Sequence, residues 1–401
     1  MKIRSVTYFC NPKYPLDEKV LQRAGDFLAR ARSAYETAGY EVQTTRLSTI
    51  PFPELLGEHS IGRLPLFTSQ INHIAQGLKI GYISLGPALP ELRRSYEVIP
   101  EAIFVSKNVF FGGVMADRKR GLDLSAVRAC ADVIVQCSTI ESNGFANLQF
   151  AALANVDPGA PFLPAAYHTG DEPAFAIATE AADLAVQAFE NARSLDEGRS
   201  NLISEIEKHS RKLTEVARYL NCRFGGIDFS LAPFPDEAHS LGKAVEKMGV
   251  PAMGLHGSLA AAAILTEAID RADFIHTGFS GFMQPILEDS ILAKRAAEGR
   301  LTIKDALLYS AVCGTGLDTV PLPGDTTGEQ IVPLLLDLSA LALRLDKPLT
   351  ARLMPIPNKK AGDETNFDFT YFAPGRVMAL DSKSLTHSLS GTETFHLSPR
   401  K

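Results

Sequence analysis

The chain has 401 residues, 45% of them hydrophobic and 21% charged, and a formal net charge of −6. This is the composition of a globular chain, long enough for one large domain with a sizeable core or for two. The acidic balance and the lack of any long Lys/Arg run argue against a nucleic-acid footprint, which needs clustered positive charge, but leave room for a local basic pocket that takes a small anion.

In chain order, IRSVTYF within residues 1–10 alternates and is rich in β-formers, which predicts a strand. Pro15 and Asp17 open an amphipathic helix with Gly39 as its C-cap. EVQTTRLST and IGYISLGP read as strands, residues 88–100 as helical, and AIFVSKNVF as another strand. SAVRACADVIVQCS reads as a helix and an apolar strand in one order or the other. FAIATEAADLAVQAF and the charged run to Asn221 read as two long helices broken near Gly198. CRFGGIDFSLAPFP is a strand entering a Pro-rich loop, and AHSLGKAVEKMG and SLAAAAILTEAIDRA are helices. GTGLDTVPLPGDTT, residues 314–327, reads as a loop: its glycines and prolines break both helix and central strand. A helix over 329–344 and a strand, TARLMPIPN, follow. This β–α alternation implies parallel strands wrapped by helices. Without a repeat or low-complexity linker, residues 1–381 read as one α/β domain. The Ser/Thr-rich tail, 382–401, is expected to be poorly ordered.

Asn11 and Pro12 interrupt the start of the chain before any secretory apolar stretch can form. The run IVPLLLDLSALALRL is broken by Asp337 and ends in Arg344, which suits a buried helix and not a membrane span. The five cysteines, Cys10, Cys130, Cys137, Cys222 and Cys313, are an odd number without CxxC spacing. Disulfides and zinc ribbons are therefore not expected, and a cytoplasmic setting is. No GxGxxG, P-loop, HExxH, GxSxG or EF-hand motif is present, so no nucleotide cofactor is called for.

What remains are polar loops at the ends of apolar strands, where α/β folds bind ligands. AAYHTGDEP carries His168, a candidate base or metal ligand, against the plainer reading of a hydrogen-bonded loop histidine. GGIDFSLAPFP places Asp228 in an apolar strand, where a carboxylate must be paired, coordinated, protonated or capping a helix. Ser230 shares its strand face. GLHGSLAAAA offers His256, Gly257 and Ser258 at a helix start, which suits an anion or is simply a capped turn. Glu288 and Asp289 are candidate metal ligands, although adjacent helical residues diverge and an acidic first turn also complements the helix dipole. Asp318, Asp325 and Thr326 come from the 314–327 stretch, part of which also reads as a helix cap before Glu329. Arg46, in TTRLST, suits a substrate carboxylate. Cys313 reads as a small buried hydrophobe.

EVQTTRLST, NGFANLQFAALAN, PFLPAAYHTG, RFGGIDFSLAPFP, His256–Gly257, SGFMQPILED and CGTGLDTVPLPGDT occur in this order. Together they resemble the domain of unknown function numbered 711, also called uncharacterised protein family 0210, over roughly residues 2–380. Where that family usually carries an arginine in its NFRFAA motif, this chain has Gln149. The resemblance implies a ten-stranded α/β barrel like that of pyruvate formate-lyase, with helices outside. It does not bring the radical machinery: no adjacent cysteine pair exists, and GRVMAL around Gly375 lacks the full glycyl-loop pattern.

The expectation is a non-radical lyase- or hydrolase-type enzyme working on a small polar or anionic metabolite. His168, Asp228, His256 and Asp325 would act in acid–base chemistry, and Arg46, Ser230, Gly257, Ser258 and Thr326 would hold the substrate. Glu288, Asp289 and Asp318 would bind a divalent metal ion, the candidate cofactor. The alternative is a non-catalytic, ligand-binding or regulatory barrel. A small-molecule ligand is the expected partner, with no nucleic acid and no membrane, and a homo-oligomer is allowed for.

Overall fold

A computed structural model describes residues 1–400. The strands are β1 (Lys2–Cys10), β2 (Val42–Thr49), β3 (Tyr82–Ala88), β4 (Val109–Asp117), β5 (Gly121–Asp123), β6 (Phe150–Ala154), β7 (Ala174–Glu180), β8 (Arg223–Asp228), β9 (Gly316–Pro323), β10 (Leu349–Ile356) and β11 (Thr394–Phe395). All belong to one 11-stranded sheet, whose main path runs β8-β7-β1-β2-β3-β4-β6-β10-β9. The fold is therefore mixed α/β. Strands β1, β2, β3, β4 and β6 run parallel to one another. β7 with β8, and β10 with β9, are also parallel pairs. The two sets meet antiparallel at β1/β7 and β6/β10. Alternation within each crossover unit thus predicted parallel pairing but not the reversal between the two sets, which is decided by how distant strands meet.

Most strands of the main path, such as β4, β6, β7, β9 and β10, are buried on both faces, as wrapped strands are. On β4, Val109 and Phe111 belong to the large core under the helices, whereas Phe110 between them packs on the other face with Phe9, Leu163, Leu287 and Met354. Residues 160–168 cross that second face. They are pinned there by Ser84 Oγ donating to the Ala166 carbonyl (2.6 Å) and His168 N to the Thr49 carbonyl (2.8 Å).

Beyond β8, residues 275–286 pass through a turn at Gly278–Ser280 and bond to both ends of the sheet path. Ile227 N donates to the Ile275 carbonyl (2.8 Å), and Ile286 N to the Asp318 carbonyl of β9 (3.0 Å). Gly281 and Gly314 make this route possible. A Cβ at Gly281 would stand 2.6 Å from the Gly314 Cα.

Several local expectations need correcting. FAIATE is β7 and not the start of a helix; its apolar run is buried throughout between β1 and β8. Gly198 does not break the second helix, Leu195–Ala217, but lies in its first turn, where any Cβ would strike the Phe189 ring. SAVRACADVIVQCS is helical throughout, within Leu124–Ser138, because its apolar residues recur at helical spacing against the core. AIFVSKNVF splits: Ile99–Phe104 is helical and β4 begins at Val109. The 314–327 stretch is no loop for most of its length but β9, buried from Gly316 to Leu322. Its prolines are tolerated because β9 pairs in register only with β10, leaving its other side largely free of ladder bonds. The tail carries β11, which pairs with β5, and Arg400 N donates to the Arg344 carbonyl (2.9 Å). All five cysteines are free thiols. No helix among the described residues is long and apolar enough to cross a membrane.

Candidate functional site

A cavity of about 70 Å³ opens on the second face of the sheet. Arg4 comes from β1, Gln43, Thr44 and Arg46 from β2, Tyr82 from β3, Phe110 from β4 and Arg352 from β10. Leu148, the crossing residues Phe162 and Leu163, Glu288, Phe369 and Tyr371 complete the wall.

Its charges are arranged unevenly. Arg352 is buried and donates from Nε to Asp318 Oδ1 (2.6 Å) and from Nη2 to Glu288 Oε1 (2.9 Å). Glu288 Oε2 is paired in turn with Arg4. A β-bulge supports this: Leu317 pairs with Ala351 and Val320 with Leu353, so β9 has one residue more than β10. That extra residue lets Thr319 take a left-handed φ of 44° and turns Asp318 towards Arg352. Burial would raise the Glu288 pKa, but Arg4 and Arg352 hold it below the usual range. Burial would lower that of Arg352, but Asp318 and Glu288 keep it high.

Arg46 has no such partner. Its Nε donates to Thr44 Oγ1 (2.9 Å), which donates onward to the Arg4 carbonyl (2.8 Å). The guanidinium carbon lies 5.9 Å from the Tyr82 ring centre, a weak cation–π contact. No carboxylate among the described residues bonds its terminal nitrogens, and the side chain stays partly exposed. Burial first, then the like charge of Arg4, pulls its pKa down to about 9.

Glu180, at the end of β7, lies just behind this wall. Its Oε2 accepts from Gln43 Nε2 (2.6 Å), while the buried Oε1 has no partner. Burial raises its pKa despite Arg4 and Gln43. An acid whose folded pKa is raised contributes stability below its unfolded pKa, here 4.5, and loses it as pH rises through the folded value. Glu180→Gln should therefore gain stability relative to wild type between pH 4.5 and 8, read as the difference in urea midpoints at the two pH values. A difference independent of pH would refute the assignment.

The structure brings Arg46, Glu288 and Asp318 together and does not gather the other candidates around them. Asp228 is buried, and its carboxylate accepts from Phe279 N (3.0 Å), Ser280 N (2.9 Å) and Ser230 Oγ (2.5 Å). Burial raises its pKa against those bonds. Asp228 and Ser230 thus tie down the turn around Gly278, outside the cavity wall. Asp289 points away from Glu288. It caps helix Ser290–Ala297 through Ile291 N and Leu292 N, and also accepts from Ser240 Oγ (2.6 Å) and Leu241 N (2.6 Å). Every oxygen it has is used by helix starts, so the dipole-complementing reading describes it and the metal-ligand reading does not. His256 and Gly257 are exposed, and Ser258 accepts from Gly254 N (3.0 Å) inside a turn whose cap is Gly257. Asp325 is exposed beside Thr326, and the helix start there is capped by Thr327 with Gln330. His168 is buried with Nε2 unpartnered and its pKa lowered by burial. It lines a different cavity, of about 340 Å³, with Asp117, Asn155 and Tyr167. Among the described residues no three His, Cys, Asp or Glu side chains come together as a metal set. At Glu288 and Asp318 the matching cations are guanidinium groups.

Arg4 and Arg352 were not among the sequence candidates. Each interrupts an otherwise β-forming stretch, KIRSVTYF and TARLMPI, which is the same signal that singled out Asp228. Gln149, in NLQFAA, spends its amide on the Ser106 and Val109 carbonyls, both at 2.7 Å.

The family described as Uncharacterised ACR (DUF711) matches residues 1–373. The chain belongs to this family. It is similar to a UPF0210 protein of Pyrobaculum arsenaticum, 31% identical over 343 residues, or 82% of this chain and 71% of that protein. A UPF0210 protein of Pyrobaculum aerophilum is 34% identical over 281 residues, covering 67% of this chain and 60% of its own length. One from Acetivibrio thermocellus is 28% identical over 372 residues, 87% of this chain and 82% of that protein.

Proposed function

We infer that this chain binds a small anionic metabolite inside a closed α/β barrel, with Arg46 as the anchor. One observation carries the reading: Arg46 is the cavity's one guanidinium with no acidic partner among the described residues, while Arg4 and Arg352 are matched. A half-buried cation without an acidic partner is poorly compensated, and a bound carboxylate or phosphate would compensate it. Ring closure is supported by the 275–286 backbone, which bonds to β8 at one end and β9 at the other. Counting it as a strand gives the ten-stranded barrel that the resemblance to pyruvate formate-lyase-like folds implies. Nothing in this reading calls on a radical: Cys313 lines a separate cavity with Lys347, and Gly375 is held by Thr365.

A second reading, an acid–base enzyme acting on the bound anion, is favoured by Glu180. It is the one acid near the cavity that keeps a carboxylate oxygen unpartnered without an arginine bonded to the other. The test of the leading reading is a thermal-shift screen of the full-length protein against small carboxylates and phosphates. At a concentration of about 100 Kd, a ligand stabilises by about 2.7 kcal/mol. At least one anion should raise the wild-type midpoint and leave that of Arg46→Gln unmoved. Equal shifts in both proteins would refute Arg46 as the anchor.

A further inference from the structure

We propose that the ligand is a small monocarboxylate with a short apolar body, in preference to a phosphate or a dicarboxylate; this rests on the anion-binding reading above. Three features of the cavity set the class. The first is charge. Arg4, Arg46 and Arg352 supply three positive groups and Glu288 and Asp318 two negative ones, leaving one positive charge to be met. Glu180 is not part of the cavity wall; it lies behind Gln43 and bonds to that amide. A single negative charge completes the set, and a second would be buried without a partner.

The second feature is the apolar part of the wall, whose Phe162 ring lies 5.7 Å from the Arg352 guanidinium carbon. Phe110, Leu148, Phe162, Leu163, Phe369 and Tyr371 offer a mostly apolar and aromatic surface. Phe369 packs at 5.1 Å from Phe145 and 5.3 Å from Tyr371, so this side is a continuous aromatic patch. It has few donors for the remaining oxygens of a phosphate, but it suits methyl and methylene groups. Glu288 cannot take a ligand ammonium readily, since Arg4 and Arg352 already occupy its two oxygens.

The third is size. One water needs about 10–15 Å³ of such space, so a cavity of about 70 Å³ holds a ligand of roughly five or six heavy atoms. Propionate and isobutyrate fall in this range. The carboxylate would take the terminal nitrogens of Arg46, and the alkyl part would lie against Phe162 and Phe369.

The experiment is calorimetric titration of the full-length protein with acetate, isobutyrate and inorganic phosphate at one pH and ionic strength. Each buried methyl group is worth about fourfold, so isobutyrate should bind at least tenfold tighter than acetate and tighter than phosphate. Arg46→Gln should lose tenfold or more for isobutyrate. Phe369→Ala should weaken isobutyrate more than acetate and so narrow the ratio between them, which a general loss of structure would not do. Phosphate binding as tightly as isobutyrate, and through Arg46, would overturn the monocarboxylate class and leave the anion site standing. Failure of every anion to bind, or binding indifferent to Arg46→Gln, would overturn both.

Discussion

Arg352→Ala should cost about 3–5 kcal/mol of stability, the range for removing one partner of a buried ion pair. The Arg352, Glu288 and Asp318 side chains are each at most 5% exposed. Without Arg352, Glu288 keeps Arg4, but Asp318 keeps nothing: Oδ1 loses its donor, and Oδ2 already has none. The cost is that of a stranded carboxylate and not the worth of the bond. The double variant Arg352→Met with Asp318→Asn should therefore be more stable than Arg352→Ala, despite carrying two changes. Urea unfolding followed by far-UV circular dichroism reads this as a non-additive pair. If the double variant is the less stable by the sum of its parts, Asp318 and Arg352 are not the coupled pair described. Binding separates the two jobs of the arginines. Arg352→Ala lowers stability first, whereas Arg46→Gln, which breaks no ion pair, should lose ligand with little loss of stability.

Most of the helices and the early strands were legible because their patterns are local: period-two alternation in EVQTTRLST, the Asp17 cap, the helical repeat of Leu195–Ala217. The misreadings share a different cause. GLDTVPLP looks like a loop because its prolines forbid a central strand, and only the sheet order shows that β9 needs ladder bonds on one side. FAIATE looks like the start of the next helix because alanine and glutamate favour helix, and tertiary pairing with β1 and β8 overrides that weak preference. The site followed the same rule. Arg46 could be singled out from TTRLST as a candidate for a substrate carboxylate, but its lack of an acidic partner among the described residues is a property of the packed chain. Glu288 and Asp289 are neighbours in sequence with opposite duties, one at the cavity and one at two helix starts; nothing in the dipeptide says which is which.

Asp228→Ala should destabilise by about 1–3 kcal/mol for each buried group it leaves without a partner; these are Phe279 N, Ser280 N and the Ser230 hydroxyl. Phe279 N and Ser280 N belong to a turn in which Gly278 has φ +64° and Ser280 +38°, a conformation that needs outside support. Gly278 sits so close to the carboxylate that any Cβ there would strike it. The same turn lies in the 275–286 route between β8 and β9, so the loss spreads to the edge joined by Ile286 and Asp318. Asp228→Asn retains one acceptor oxygen and resembles the protonated acid that burial favours, so it should lose less than the alanine variant. Because Asp228 is outside the cavity wall, the asparagine variant, where folded, should bind the anion as wild type does. Wild-type stability in Asp228→Asn together with loss of anion binding would reverse this assignment and return Asp228 to the reacting groups. Reduced stability with unchanged binding would fix it as the residue that holds the closing turn.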